Sequence, residues 1–294
     1  MKTSAHETEM NRKIALIGAN GMLGTEFMYK FQAGNSNIVP LTDRDIDITD
    51  YEYTLEVLTQ IKPEIIINCA AYTAVDQAEQ DIEMAFKVNA LGVKHLAQSA
   101  DKLHSHLVHY STDYVFPGAN ANGYVEDAET SPINQYGASK LQGEQELANI
   151  LAPQQYIIMR TAWLYGNRGK NFVRTMLTLA DTMNVVKVVN DQIGSPTHTK
   201  DLVQWTTDLL QLSAYGTFHS VNSGNCSWYD FAKEIFRLAG KKVELVAVPS
   251  HEFPTPAKRP AFSILINKKL ENTLNYPITK WPAALSEYLN SIKL

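Results

Sequence analysis

The 294-residue sequence has only two cysteines, Cys69 and Cys226, in different expected elements and without CxxC spacing. That usage indicates neither a disulfide framework nor a zinc site, and two buried thiols in a reducing compartment are expected. No apolar run approaches the roughly 20 residues that span a bilayer. Blocks of like charge are lacking, and a formal net charge of −5 gives no footprint for nucleic acid. There are no repeats or low-complexity tracts. The polar start MKTSAHETEMNRK, with Glu7 and Glu9, lacks the basic-then-apolar pattern of a secretory signal. A cytoplasmic protein that binds neither membrane nor nucleic acid is expected, with residues 1–9 a flexible leader and Met10 the natural start.

Apolar residues make up 45% and charged residues 19%, enough to bury a sizeable core. The length suits one large domain with an annex, or two domains. Over residues 1–165 apolar strands alternate with helices: KIALI, NIVPL, EIIIN, HLVHYST and YIIMRTAWLYG are the strands. This order predicts an α/β fold with a doubly wound parallel sheet. Helices are expected after Thr49 as N-cap, from Ala78 unbroken to about Leu103, and from Ser131–Pro132 onward.

KIALI runs directly into GANGMLG and an amphipathic segment. Gly18, Gly21 and Gly24, three apart, allow a sharp turn whose backbone N–H groups can approach a pyrophosphate at a helix N-terminus. A packing turn is the plain alternative. Asp43 stands 19 residues past Gly24, near the ~20 expected for a carboxylate on an adenosine ribose. Arg44 follows at once, and a guanidinium there suits a 2′-phosphate, so the sequence argues for both NADH and NADPH. Asp47 and Ile48 are candidates to flank the adenine, and a turn explains them equally well. Ala70 and Ala71, at a strand's carboxyl end, allow close passage of a cofactor. Asn89 inside a helix either has a buried task or faces water.

The chemistry is expected at Thr112, Tyr136 and Lys140. Residues four apart share a helix face, so phenol and ammonium point at one substrate. A free phenol has a pKa of about 10, and a neighbouring ammonium is expected to lower it so that Tyr136 can cycle a proton. The same spacing recurs at Tyr229/Lys233 and Tyr276/Lys280, and only the strand end before Tyr136 and the glycine turn upstream set the first pair apart. Beyond Gly166 the order loosens into NFVRTMLTLA, VVKVV, a turn-rich NDQIGSPT, further helices capped at Ser227 and ended at Gly240, and a stiff PTPAKRP loop carrying Lys258 and Arg259.

With these segments in place, the chain resembles the extended short-chain dehydrogenase/reductase superfamily, and within it the dTDP-4-dehydrorhamnose reductase family. The likeness runs from about Arg12 to the C-terminus through GANGMLG, DIDITD, INCAAYTAVDQAE, AFKVNALG, STDYVF, YGASKLQGE, RTAWLYG, DQIGSPT, CSWYDFAKEIF and PTPAKRP, in the family's order. The resemblance implies a Rossmann-like NAD(P)-binding domain over 1–165 and a smaller substrate-binding lobe over most of 166–294, with segments returning to the sheet. It implies NADPH or NADH as cofactor, a dTDP-sugar as substrate, and reduction of the sugar's C4 carbonyl, with Tyr136 giving the proton, Lys140 holding the nicotinamide ribose and Thr112 bonding the carbonyl. Gly21, Met22, Leu23, Asp43, Asp47, Ile48, Ala70, Ala71 and Tyr72 fall on cofactor positions, Asn89 on a structural or relay position, and Thr112, Asp113 and Trp163 on substrate positions. Arg259 and Lys258 are candidates for the diphosphate. Related dehydratases carry an Asp-Glu pair after their Thr, whereas Asp113 is followed by Tyr114, which disfavours dehydration. Some relatives place magnesium at a dimer contact through glutamates; Glu26 lies where one would sit but lacks convincing partners, so no metal is carried over and a homodimer stays open. The beta subunit of methionine adenosyltransferase resembles the same family, which makes a non-catalytic regulatory subunit the second expectation, and a reductase of another 4-keto sugar nucleotide is the third.

Overall fold

A computed structural model describes residues 12–32 and 37–292. The expected leader, residues 1–9, lies outside the described residues. Short apolar runs of β-branched residues form the sheet, each followed by a helix with one apolar face. In chain order these are β1 (Ile14–Ile17), α1 (Met22–Gln32), β2 (Ile38–Leu41), α2 (Tyr51–Ile61), β3 (Ile65–Asn68), α3 (Ile82–Phe86), α4 (Gly92–Leu103), β4 (His106–Thr112), α5 (Gln135–Ile150) and β5 (Tyr156–Thr161). The strand Gly216–His219 adds to β5, giving a six-stranded sheet with β5, β4, β3, β1 and β2 following in that order. Every pairing in it is parallel.

Alternation along each strand supplies both faces of the sheet. Leu16, Ile67, Val108, Met159 and Phe218 pack toward Phe27, Leu202 and Trp205. Ala15, Ile66, Leu107 and Ile158 pack toward Leu58, Leu96 and Leu147 on the other side. The sheet is therefore covered by helices on both faces, as an all-parallel sheet requires. Chain direction reverses its spatial progression between β1 and β3, and ligands of such sheets bind in the crevice outside the carboxyl ends there. A separate cluster gathers Val186, Val188, Phe231, Ile235 and Tyr288 around the paired strands Val185–Val189 and Glu244–Val248.

Three local expectations need correction. Asp50, not Thr49, caps α2: its side chain accepts from Tyr53 N at 3.1 Å, while Thr49 donates from its amide and hydroxyl to Asp47. Asn134 caps α5 by accepting from Gly137 N at 2.8 Å, and Ser131 donates its amide to the Val115 carbonyl in a preceding turn. The helix expected unbroken over residues 78–103 is interrupted: a 3-10 turn at Gln77–Glu79 and α3 lead into a π turn at Lys87–Leu91 before α4. Wide turns of this kind accommodate an extra residue and recur at functional sites. Here Asn89 sits in the turn, and its carbonyl lies against Gly143 of α5, where a Cβ would come within 2.1 Å.

Candidate active site

The glycine turn joins β1 to α1. Gly18 has φ +74°, and a Cβ there would lie 2.7 Å from Ala70 N. Only glycine permits both the left-handed conformation and this approach. Gly21 donates to the Gly18 carbonyl at 3.0 Å, and Gly24 packs so closely on that carbonyl that a Cβ would meet it at 2.2 Å. The turn thus presents bare backbone at the start of α1, where N–H groups and the helix dipole favour an anion.

Two clefts meet at this turn. One, of about 1090 Å³, is lined by Gly18, Gly21, Asp43, Asp47, Ile48, Ala70 and Ala71. Asp43 accepts from Asn20 Nδ2 at 3.1 Å. Arg44 is exposed and does not line it. The other cleft, of about 1500 Å³, holds Met22, Leu23, Thr112, Asp113, Tyr136, Lys140 and Trp163. Gly21, Cys69 and Ala71 border both, so the two form one continuous trough.

Thr112 ends β4, and its hydroxyl donates to Asp113 Oδ1 at 2.9 Å while accepting from Tyr114 N. Tyr136 and Lys140 project from the first turns of α5. Lys140 is 2% exposed and its Nζ donates to the Tyr110 carbonyl at 2.6 Å. Burial lowers its pKa to about 8, opposed by Glu144 one turn further on. Burial and the Asp113 charge push the Tyr136 phenol up to about 12, offset in part by its bond with Thr112. This corrects the expectation that the ammonium lowers the phenol: in so enclosed a site the cost of burying phenolate outweighs that attraction. Asp113 itself is pushed up to about 6 by burial, with hydrogen bonds from Ser263 and Thr112 opposing.

Asn89 has the buried task. Its Oδ1 accepts from Tyr72 N at 2.9 Å, and its Nδ2 donates to the Tyr72 carbonyl and to Ser139 Oγ, each at 3.0 Å. It ties the chain leaving β3 to α5 beside Lys140. Tyr72 itself lines neither cleft, and its hydroxyl points to Asp81. Arg259 lines neither cleft and makes a two-pronged bond to Asp76 at 2.9 and 2.8 Å, beside Tyr114 of the larger cleft. Of the rival pairs, Tyr229 and Tyr276 line neither cleft, and Tyr276 donates to Asp208. Glu26 accepts from Thr199 Oγ1 at 3.3 Å. Among the described residues no group of three or more His, Cys, Asp or Glu side chains is set to hold a metal.

The structure adds residues that sequence reasoning missed: Ser111, Thr161, Lys170 and Trp228 line the larger cleft. Trp228 stacks on Trp163 with ring centroids 3.4 Å apart, forming an aromatic wall. Trp163 holds φ +46°, a conformation uncommon for a bulky side chain, which turns the chain off β5 into the cleft. Ser111 Oγ and Thr161 Oγ1 are buried with no hydrogen-bond partner among the described residues.

Fold and trough define the class: a Rossmann-like α/β protein with a glycine-turn cleft opening into a Thr-Tyr-Lys site. The sequence model described as RmlD substrate binding domain matches residues 12–294, and the chain belongs to that family. It is 39% identical over 279 residues to a dTDP-4-keto-6-deoxy-D-glucose reductase of Streptomyces niveus, covering 95% of this chain and 96% of the relative. It is 36% identical over 297 residues to the dTDP-4-dehydrorhamnose reductase of Escherichia coli (strain K12), covering 95% and 97%. A crystal structure of dTDP-4-dehydrorhamnose reductase from Bacillus anthracis in complex with NADP superposes with a TM-score of 0.92 at 40% identity, covering 96% of this chain and all of that one.

Proposed function

We propose that the protein is an NAD(P)H-dependent sugar-nucleotide ketoreductase that reduces the C4 carbonyl of dTDP-4-dehydro-L-rhamnose to dTDP-L-rhamnose. The observation that carries this reading is the meeting of Thr112, Tyr136 and Lys140 in a cleft continuous with the glycine turn. The cofactor fits the bare backbone at Gly18 and Gly21, with Asp43 on the adenosine ribose; Arg44, exposed next to Asp43 and outside the cleft lining, would have to swing in to meet a 2′-phosphate. When bound, the reduced nicotinamide supplies a hydride to C4.

The chain's own groups supply the rest. Tyr136 transfers its proton to the carbonyl oxygen as C4 gains the hydride, leaving phenolate on the enzyme and an alcohol on the sugar. With its pKa near 12 the phenol is protonated before the reaction, as a general acid must be. The Thr112 hydroxyl, whose one hydrogen goes to Asp113 without substrate, turns to donate a second hydrogen bond to the same oxygen, stabilising negative charge that develops there. Lys140 holds the nicotinamide ribose and offers positive charge to the phenolate. Trp163 and Trp228 wall the sugar and exclude water. Residues 166–294 act mainly as the substrate lobe, while Gly216–His219 belongs to the sheet.

Dehydration is disfavoured because Tyr114 stands where that chemistry needs a carboxylate; its phenol is pushed well above the normal range, burial being the largest cause. The Streptomyces relative's name makes another 4-keto sugar nucleotide the second reading. A regulatory subunit is less favoured, since binding alone does not need Thr112, Tyr136 and Lys140 together. The test is near-ultraviolet loss of NADPH, and separately NADH, with dTDP-4-dehydrorhamnose generated in place. Oxidation that requires this sugar supports the proposal and ranks the cofactors. Turnover only with a different 4-keto sugar supports the second reading, and none with any overturns both.

A further inference from the structure

Beneath Lys140 lies a buried chain of polar groups that the reaction as described does not use. Asn68 at the end of β3 accepts from Ala70 N through Oδ1 at 3.0 Å, which fixes the amide's orientation. Its Nδ2 therefore faces His109 Nδ1 at 3.2 Å. His109, on β4, is wholly buried, and its Nε2 lies 3.4 Å from Lys140 Nζ.

The donor and acceptor count assigns the tautomer. Nδ2 only donates, so Nδ1 must accept and the ring hydrogen sits on Nε2. That N–H is satisfied by a lysine amine and opposed by a lysine ammonium. We propose that His109 is a positioning residue that keeps the Lys140 ammonium acidic, and that Asn68 ties this setting to the wall of the glycine turn. To welcome the ammonium, His109 would have to carry its hydrogen on Nδ1 and Asn68 would have to turn over, leaving Ala70 N without its acceptor. Ala70 N is the atom packed against Gly18, so the lysine's charge and the dinucleotide's cradle are mechanically joined. The inference rests on the proposed reduction and adds to it that an acidic Lys140 readily hands a proton on toward the Tyr136 phenolate.

Other groups face Lys140 as well. Glu144 on its own helix raises its pKa, but is itself held by Arg160 of β5 at 2.7 Å. Tyr136 shares the helix face, Tyr110 contributes its carbonyl from β4, and Cys69 at the exit of β3 is a protonated thiol held well above its ordinary range by burial. His109 is held neutral by burial, with Lys140 adding to the effect. None of these supplies an acceptor at the position of His109 Nε2.

The direct test is the ring-nitrogen NMR spectrum of the full chain labelled with 15N-histidine, with His109 assigned by signal loss in His109→Gln. Protonated Nε2 and bare Nδ1 are expected, exchanging places in Asn68→Asp, whose carboxylate accepts from both Ala70 N and Nδ1–H. A wild-type spectrum with Nδ1 protonated overturns the inference. In turnover, Asn68→Asp should move the alkaline limb of kcat/KM upward by at least about one pH unit, a tenfold change in the Lys140 equilibrium. Most of that shift should vanish when Asn68→Asp is made in a His109→Phe background; an equal shift there shows that charge alone acts, and overturns it. Lack of wild-type turnover would count against the proposed reduction, while the tautomer spectrum would still decide this inference.

Discussion

Burial sets the protonation of Tyr136 and Lys140, raising the pKa of the phenol and lowering that of the amine. Their separation was readable, as was Thr112 at the end of an apolar strand, and the structure brings all three into one cleft. Their titration was not, because it depends on how completely α5 is covered. Lys140 loses its charge as pH rises through about 8, so the rate of carbonyl reduction should fall along an alkaline limb with its midpoint near that value. A kcat/KM profile flat from pH 6 to 10 would contradict this role. Thr112→Val removes one hydrogen bond to developing negative charge, worth about 1.5–3 kcal/mol, so kcat should fall by roughly 10- to 150-fold with the fold retained. Ser111, Thr161 and Trp228 escaped the sequence because nothing in their spacing distinguishes a cleft-lining residue from a packed one. Trp228 meets Trp163 only through tertiary stacking.

At the level of elements, strands read well because a buried parallel strand is a short unbroken apolar run, and the glycine turn read well because three glycines have few other uses between strand and helix. Helix starts read poorly. Thr49 and Asp50 are both good caps, as are Ser131 and Asn134, and tertiary contacts choose between them. The π turn was unreadable for the same reason: it lies where the Asn89 carbonyl packs on Gly143 of α5, a contact between segments distant in sequence. Asn89→Ala strips three hydrogen bonds from this junction and leaves Tyr72 N and O without partners. It should lower stability by about 1–3 kcal/mol, measured by urea unfolding, and weaken dinucleotide binding by loosening the loop after β3. Unchanged unfolding midpoint and affinity would show that the junction is held by packing alone.

Across the whole molecule, the trough is bounded by segments distant in sequence. Gly118, with φ +76°, packs on Pro260 so tightly that a Cβ would meet that ring at 2.1 Å. Asp76 reaches Arg259 from the chain after β3. These contacts seat the proline-rich loop against the sheet's carboxyl edge, a feature that its proline content implied only as stiffness. Arg259→Ala should raise KM for the dTDP-sugar more than it lowers kcat if the guanidinium serves the diphosphate, and equal loss in both would contradict that service. Dinucleotide at 100 times its Kd should stabilise the full chain by about 2.7 kcal/mol, seen as a concentration-dependent rise in Tm.

The proposed reduction is completed by a proton from Tyr136, with the dinucleotide held elsewhere in the same trough. Single-turnover oxidation of bound NADPH by dTDP-4-dehydrorhamnose, compared between wild type and Tyr136→Phe alongside each protein's NADPH affinity, tests it most directly. In Tyr136→Phe the rate should be lower by about 10²- to 10⁴-fold with affinity nearly unchanged, since only the proton donor is lost. A near-normal rate in Tyr136→Phe would contradict it.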